Sequence, residues 1–296
     1  MNSFKQISND LVRIADKNIF FLVGVAKSGT TWLQHILDGH PEISCKGESH
    51  LVGHLMPELM NLLAQHNDII RRKNKMLQQE NDGYPTFANA DVLFLAKTAL
   101  LLLLKSQTGD KTVKIIGEKT PDNILHLDQI SEHLIPSAKF IHIIRDGRDG
   151  AVSGWHHIHA DTPEWANENF PTFLNYVDVY ADRWQLKINH ARQFGINHPE
   201  SYLEVRYELL QSQTHDEIKR VLDFLIADAS DENIRCCIDA GKFEKLSQGR
   251  HRGEEDPNSH FRKGVVGDWQ TLFDSDCIQQ FESRAGKLLG ELGYRW

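Results

Sequence analysis

FFLVGVAKSGTTWL, which runs from Phe20 to Leu33, is the stretch of sequence that decides the fold. Its apolar first half is typical of a buried parallel strand, and Gly24 and Gly29 have the spacing of a phosphate-binding loop. Thr30 stands where triphosphate-binding loops have lysine, and the lysine of this loop is Lys27. The loop therefore offers an anion backbone N–H groups, hydroxyls and a helix N-terminus, without the lysine that holds β- and γ-phosphates. A plain Gly-Ser-Thr turn between strand and helix is the alternative.

The rest of the chain alternates between short apolar runs and longer helical patterns. The runs predict strands at 19–24, 43–45, 113–117, 139–144 and 202–206. The helical patterns cover 30–37, about 50–79, 88–105, 124–134, 173–194 and 215–225. Such alternation predicts an α/β fold with a P-loop-type central parallel sheet, helices on both faces and helical lid segments. Ligands of these sheets bind at the carboxyl ends of the strands, so functional residues are expected directly after each strand.

Composition narrows the class of protein. The chain has 296 residues, 40% hydrophobic and 25% charged, and we expect a single domain over 1–296. A net charge of −8 argues against a broad basic face for nucleic acid. The four cysteines form no C-x-x-C pair, the N-terminus resembles neither a signal peptide nor an anchor, and the most apolar segment, 98–105, is too short to span a membrane. The sequence therefore predicts a cytoplasmic protein.

Polar residues follow the later strands as expected. Arg145 ends the fourth strand and Ser153 lies eight residues on, in the next helix, where the pair suits a dianionic phosphate. Tyr207 follows the fifth strand. Near the C-terminus, FRKGVVGDW adds a basic dipeptide, Arg262 and Lys263, in a Gly-rich setting. Each of these alone is also compatible with an ordinary surface loop.

Together the segments KSGTTW, R-x7-S, RYE and RKG-x-x-GDW, in this order, resemble the sulfotransferases that use 3′-phosphoadenosine 5′-phosphosulfate (PAPS). The resemblance runs from about residue 19 to 269. It implies that the 5′-phosphosulfate loop consists of Lys27, Ser28, Gly29, Thr30, Thr31 and Trp32. It also implies that the 3′-phosphate is held by Arg145, Ser153, Arg262, Lys263 and Gly264, with Tyr207 near the adenine end. PAPS has no γ-phosphate, and Lys27 can stabilise charge on its bridging oxygen, so we expect no metal requirement.

The general base is harder to place. Cytosolic members of the family carry a histidine in a K-T-H segment, whereas the matching GEKTPDN, 117–123, has none there. Instead HPEISCKGESH places Glu48 and His50 after the second strand, and a glutamate at this place is the base in the carbohydrate and protein-tyrosine branch. The segments around Glu48 and Arg145 look most like the tyrosine-sulfating branch, here without a membrane anchor, in which a lysine matching Lys119 supports the sulfuryl group. We expect Glu48 as base, then His50, then Glu118; a helix N-terminal charge is the alternative for Glu48.

The sequence thus predicts direct in-line transfer of a sulfuryl group from PAPS to a hydroxyl or amine. The acceptor, whether small molecule, saccharide or peptide, should bind against segment 50–110, and loop 244–268 should cover the nucleotide. The histidines 156, 157 and 159 lack a partner set for a metal, although His157 could reach the donor. Two alternatives are a P-loop small-molecule kinase and a non-catalytic nucleotide-binding protein. The dimer-forming segment of cytosolic members has no good match after GDW, so the oligomeric state stays open.

Overall fold

A five-stranded parallel sheet forms the centre of the molecule in the computed structural model, which describes residues 3–79, 82–108 and 112–295. The strand order is β2-β3-β1-β4-β5. The strands are β1 Asn18–Gly24, β2 Ile43–Gly47, β3 Ile115–Lys119, β4 Lys139–Ile144 and β5 Tyr202–Arg206. Every neighbouring pair is parallel, so the predicted α/β class and sheet are confirmed.

Helices cover both faces of this sheet. They are α1 Phe4–Ala15, α2 Thr30–Asp38, α3 Met56–Met76, α4 Asn89–Gln107, α5 Leu127–Gln129, α6 Gly147–Asp161, α7 Pro163–Asn169, α8 Phe173–Asn197, α9 Tyr207–Ser212, α10 Thr214–Leu225, α11 Asp231–Ala240, α12 Phe243–Leu246 and α13 Ser275–Glu291. Successive residues of β1 point to opposite faces. Phe21 and Val23 pack in one core with α4, while Phe20 and Leu22 pack in another with α2 and α10.

A third core lies beyond the sheet, between the long helix α8 and the C-terminal helix α13. Trp184 and Phe281 are fully buried there, with ring centroids 5.9 Å apart. Helix α13 was not predicted, because no strand follows it to continue the alternation of strands and helices. The sequence of α13 also gave no reason to place it against α8. It ties the end of the chain to the edge of the sheet that carries Arg145.

Three predicted elements differ from those observed. Strand β3 lies two residues later than predicted, which brings Glu118 and Lys119 into the strand. The helix predicted from about residue 50 begins as a π-helical turn, Leu51–Leu55, before α3. The helix predicted over 124–134 is instead a 3-10 turn, Pro121–Leu125, followed by α5 and a π turn, Ile130–Leu134, because the backbone leaves the helical conformation at His126, with φ −127°.

The predicted acceptor segment, 50–110, is a helical hairpin of α3 and α4, except that residues 80, 81, 109 and 110 lie outside the described part. Asn67 and Asn74 fasten the returning chain to α3 through paired backbone bonds with Phe87 and Tyr84. Within the described residues, none of the helices combines the length and apolar character that crossing a bilayer requires.

Candidate active site

The loop after β1 has the shape expected of an anion site. Lys27 and Gly29 both have positive φ, 71° and 98°, and helix α2 begins directly afterwards. A Cβ at Gly29 would lie 2.6 Å from the Tyr207 ring, so glycine is needed for both the dihedral and the space. The Ser28 hydroxyl is buried and has no hydrogen-bond partner among the described residues. Loop N–H groups and the start of α2 therefore converge at the carboxyl end of the sheet.

A cleft of about 270 Å³ opens above this loop. Most of the predicted site residues line it, namely Lys27, Gly29, Thr30, Thr31, Trp32, Glu48, Arg145, Ser153, Tyr207, Arg262, Lys263 and Gly264. Ser28, Lys119 and His50 do not. Ser28 lies beneath the loop, Lys119 reaches the cleft through its contact with Glu48, and His50 is exposed beside Glu48.

Glu48 lies between Lys119 and His50 at one wall of the cleft. Its Oε1 lies 2.6 Å from Lys119 Nζ, and its Oε2 lies 3.4 Å from His50 Nε2. Lys119 Nζ also donates to Thr31 Oγ1 at 3.3 Å. The Lys119 side chain is 5% exposed and that of Glu48 33%. A buried ammonium thus joins the phosphate loop to a carboxylate that is still open to the cleft.

The sheet register explains this contact. Gly47 and Leu22 are both Cα partners of Lys119, so the ends of β2, β3 and β1 lie side by side. A Cβ at Gly47 would lie 2.5 Å from Lys119 Cε and 2.8 Å from the Lys119 carbonyl oxygen. Glycine at 47 therefore gives the lysine room to reach Glu48.

Glu118 has a different role from Glu48. It is 1% exposed, and its Oε1 accepts from Ser49 N, Ser49 Oγ and Thr120 Oγ1 at 3.1, 2.7 and 2.5 Å. Its Oε2 accepts from Asn123 Nδ2 at 2.7 Å. With both oxygens occupied and buried, Glu118 is poorly placed to take a proton from an acceptor, and it instead fixes the backbone beside Glu48.

Arg145 stands at the other wall. Its guanidinium donates to the carbonyls of Lys27 and Val265, at 3.3 and 3.0 Å, and lies 4.5 Å over the Tyr207 ring. Its Nε is buried without a partner among the described residues. Asp149, which the sequence did not single out, lies 3.8 Å from Arg145 and accepts from Gly267 N and from Trp269 N. The first turn of α6, which follows β4, is thus joined to the late Gly-rich segment through Asp149.

The basic pair Arg262 and Lys263, called the second clamp, already has carboxylate partners. Arg262 contacts Asp268 and lies 2.5 Å from Glu255 Oε1, and Lys263 Nζ lies 2.6 Å from Asp268 Oδ1. The Arg262 Nε is a further buried donor without a partner among the described residues. Both cations line the cleft, so a phosphate there would share or replace their carboxylate partners.

The field in the cleft is strongly positive. Burial, together with the charge of the nearby Arg145 guanidinium, lowers the pKa of Lys27 to about 8. His260 also lines the cleft, and burial together with the Lys27 charge lowers its pKa to about 4, which keeps this imidazole neutral near pH 7. The His157 ring lies 6.1 Å from it. A dianion entering the cleft would relieve the mutual repulsion of these cations.

Several cleft residues could not be found from the sequence. Phe243, Arg252 and His260 come from the last quarter of the chain, and Pro121 and Asp122 from the turn after β3. The Arg252 guanidinium lies 5.1 Å over the Trp32 ring and 5.6 Å over that of Phe243. Arg252 and His260 lie within the segment 244–268 that we expected to cover the nucleotide, although neither was singled out. Among the described residues, no three His, Cys, Asp or Glu side chains are grouped for a metal.

Comparison with known proteins places the chain among relatives of one kind. A model described as "Sulfotransferase family" matches residues 20–231. Protein-tyrosine sulfotransferase A of Caenorhabditis elegans is 24% identical over 93% of this chain, which spans 66% of that relative's length. Cytosolic sulfotransferase 4 of Arabidopsis thaliana is 31% identical over 39% of this chain and 40% of its own length. Mouse sulfotransferase SULT7A1, solved with PAP, aligns with a TM-score of 0.55 at 18% identity, covering 96% of this chain and 94% of its own.

Proposed function

Because the chain belongs to the sulfotransferase family, we propose that Glu48 activates its acceptor while Lys27 and Lys119 stabilise the sulfuryl group that PAPS donates. The enzyme class follows from the family: the protein is a PAPS-dependent sulfotransferase. The observation that carries the assignment of roles is the 2.6 Å contact between Glu48 and Lys119 beside the phosphate loop. It puts a carboxylate base and a buried cation next to each other at one wall of the cleft.

On the donor side, the loop N–H groups and the start of α2 would hold the 5′-phosphate, with the hydroxyls of Thr30 and Thr31. The buried, unpartnered Nε–H donors of Arg145 and Arg262 support a dianionic 3′-phosphate between them. Ser153, Lys263 and Gly264 line the same end of the cleft. Trp32 and Tyr207, in edge-to-face contact at 5.2 Å, form its aromatic wall.

On the acceptor side, Glu48 would take the proton of the acceptor hydroxyl or amine as that atom attacks sulfur. The bond from sulfur to the bridging oxygen breaks, and its electron pair stays on that oxygen. The product nucleotide, 3′-phosphoadenosine 5′-phosphate (PAP), then leaves. Lys27 would meet the charge that develops on the bridging oxygen, and Lys119 that on the sulfuryl oxygens.

The type of base, the acceptor and the cellular location are proposed from resemblance to known branches of the family and from the cysteine content. We propose a protein-tyrosine or carbohydrate type of base because Glu48, rather than a histidine at the K-T-H position, faces the cleft. The acceptor remains a small molecule, saccharide or peptide. A reducing, cytoplasmic setting is supported by four free thiols, those of Cys45, Cys236, Cys237 and Cys277. The kinase alternative is not favoured, since the family match covers the phosphate loop itself.

The donor assignment predicts selective stabilisation by PAP. Thermal unfolding would be followed with PAP and with ADP, each with magnesium and with a chelator. A ligand at about 100 times its dissociation constant adds roughly 2.7 kcal/mol to the free energy of unfolding. We expect a clear upward shift of Tm with PAP that magnesium does not change. A shift only with ADP and magnesium would contradict the donor assignment and favour phosphoryl transfer.

The pKa of Lys27 predicts a high-pH limit to activity. Its pKa of about 8 lies below the usual value because of burial and Arg145. The proposed role needs the ammonium form, so kcat/KM should fall as pH rises through about 8, since this parameter reports groups of the free enzyme. Lys27→Arg should move the limit to higher pH, because guanidinium does not lose its proton in this range. A limit unchanged in Lys27→Arg would assign the titration to another group.

A further inference from the structure

Helix α3 carries large apolar side chains on its exposed side at seven-residue spacing. Leu62, Ile69 and Met76 are 62%, 50% and 75% exposed. Seven residues make almost two helical turns, so the three side chains share one face. Leu63 and Asn67, on other faces of the same helix, are buried against the rest of the hairpin. The apolar face thus points away from the protein.

Basic residues flank this apolar face. Arg72 and Lys73 lie three and four residues after Ile69, so they project on either side of the line from Ile69 to Met76. Residues 69–79 contain four basic side chains and no acidic one, namely Arg71, Arg72, Lys73 and Lys75. Asp68 pairs with Arg71 at 3.0 Å. Within the described residues, no carboxylate lies at ion-pair distance from Arg72, Lys73 or Lys75.

We propose that this face of α3, called the α3 surface and formed by Leu62, Ile69, Arg72, Lys73 and Met76, docks the protein onto an anionic lipid bilayer. A helix with apolar residues on one side and lysine or arginine beside them lies in the plane of the interface, where its apolar side enters the headgroup region. Basic residues near such a membrane each contribute about 1 kcal/mol, which is roughly fivefold in binding. The whole chain has a net charge of −8, so an anionic bilayer would repel most of the protein. Attachment is therefore restricted to this basic surface.

Two other partners fit the α3 surface less well. In a symmetric pairing of two copies through this face, both copies would bring the basic side chains of residues 71–75 to the interface, and like charges oppose each other. A nucleic acid would meet the charges but leave Leu62, Ile69 and Met76 facing water, because backbone phosphates do not bury apolar side chains. A lipid surface satisfies both kinds of residue at once.

The position of α3 in the chain connects the proposed membrane contact to the candidate active site. A single π-helical turn, Leu51–Leu55, separates α3 from His50 and Glu48. On the proposed function, attachment through α3 therefore acts on the same segment, 50–110, that is expected to bind the acceptor. The docking itself does not depend on Glu48 being the base, and it can be measured without PAPS or an acceptor.

The test is cosedimentation of the full chain with vesicles of phosphatidylcholine alone and with vesicles that also contain phosphatidylglycerol. We expect binding to the mixed vesicles only, and weaker binding as salt rises. The double variant Arg72→Gln/Lys73→Gln should lower binding roughly thirtyfold, from the loss of two surface charges. Ile69→Ser/Met76→Ser should lower it at least as much, because the apolar contact is lost.

The matched control is Leu186→Ser/Ile196→Ser, which removes two apolar side chains of α8 that are 56% and 72% exposed. It should bind mixed vesicles like the unmodified chain. No binding to mixed vesicles, equal binding to neutral vesicles, or equal loss in the control would overturn the proposal. Concentration-dependent dimers that Ile69→Ser/Met76→Ser abolishes, without vesicle binding, would assign the surface to a second copy. Retention of the PAP-induced Tm shift in each variant shows that folding and the donor site are intact.

Discussion

Glu48→Gln is expected to lower kcat by about a hundredfold to ten-thousandfold, the usual contribution of a positioned general base. Glutamine has nearly the same shape and can still accept the hydrogen bond from Lys119, so the wall of the cleft should keep its form. It cannot take the acceptor proton. The Tm shift with PAP should therefore be unchanged while turnover is lost. The measurement is kcat with saturating PAPS, beside PAP binding by thermal unfolding.

His50→Gln is the control for this result. The His50 side chain is 59% exposed and lies 3.4 Å from the far oxygen of Glu48, so we expect an effect of less than tenfold. Near-normal turnover in Glu48→Gln would remove the base assignment. If His50→Gln were then the damaging change, the histidine would take over the role, as the second choice from the sequence.

Lys27→Ala should have the second large effect, lowering the rate of the chemical step about a hundredfold to a thousandfold. The reason is that charge on the bridging oxygen grows only as the sulfur–oxygen bond breaks, so the interaction is stronger in the transition state than with bound PAPS. PAP affinity should fall less, because the loop N–H groups, α2 and Arg145 remain. Single-turnover kinetics at saturating PAPS separates the two quantities.

Lys263→Ala offers the opposite pattern as a control. Lys263 stands at the second clamp, paired with Asp268 and away from the loop of Lys27. We expect weaker PAP binding and an almost unchanged single-turnover rate. A loss of PAP binding without loss of rate in Lys27→Ala would show instead that Lys27 serves ground-state binding.

Much of the fold could be read from local patterns. The run 19–24, two glycines at fixed spacing and a following amphipathic helix define β1, the loop and α2, and the sheet follows from repetition of that unit. The end of β3 could not be read in the same way. Residues 113–119 are apolar or mixed throughout, and their bounds depend on which of them pair with β1 and β2. Local sequence patterns do not show how β3 is aligned with its two neighbouring strands.

Some residues of the candidate site could be predicted from the sequence, and others could not. Residues directly after strands were found, because parallel strands deliver their ends to one edge of the sheet. Asp149 was missed because its local setting, RDGRDG, resembles an ordinary turn, while its partners, Gly267 and Trp269, stand 118 and 120 residues away. Phe243 was missed for the same reason, and Arg252 was predicted only as part of the covering loop 244–268. Their place opposite Trp32 depends on how the C-terminal helices return to the sheet.

Because part of the cleft comes from the C-terminal segment, the order of synthesis decides when the site can form. The last strand of the sheet ends at Arg206, so the ribosome releases all five strands while Val265, Gly267 and Trp269 are still unmade. Arg145 and Asp149 gain their partners only when those residues emerge. Nascent chains and C-terminally shortened fragments thus hold the phosphate loop and Arg145 without Arg262, Lys263 and the other cleft residues of the late segment. We therefore expect the complete nucleotide site to form only after residues up to Trp269 have been made.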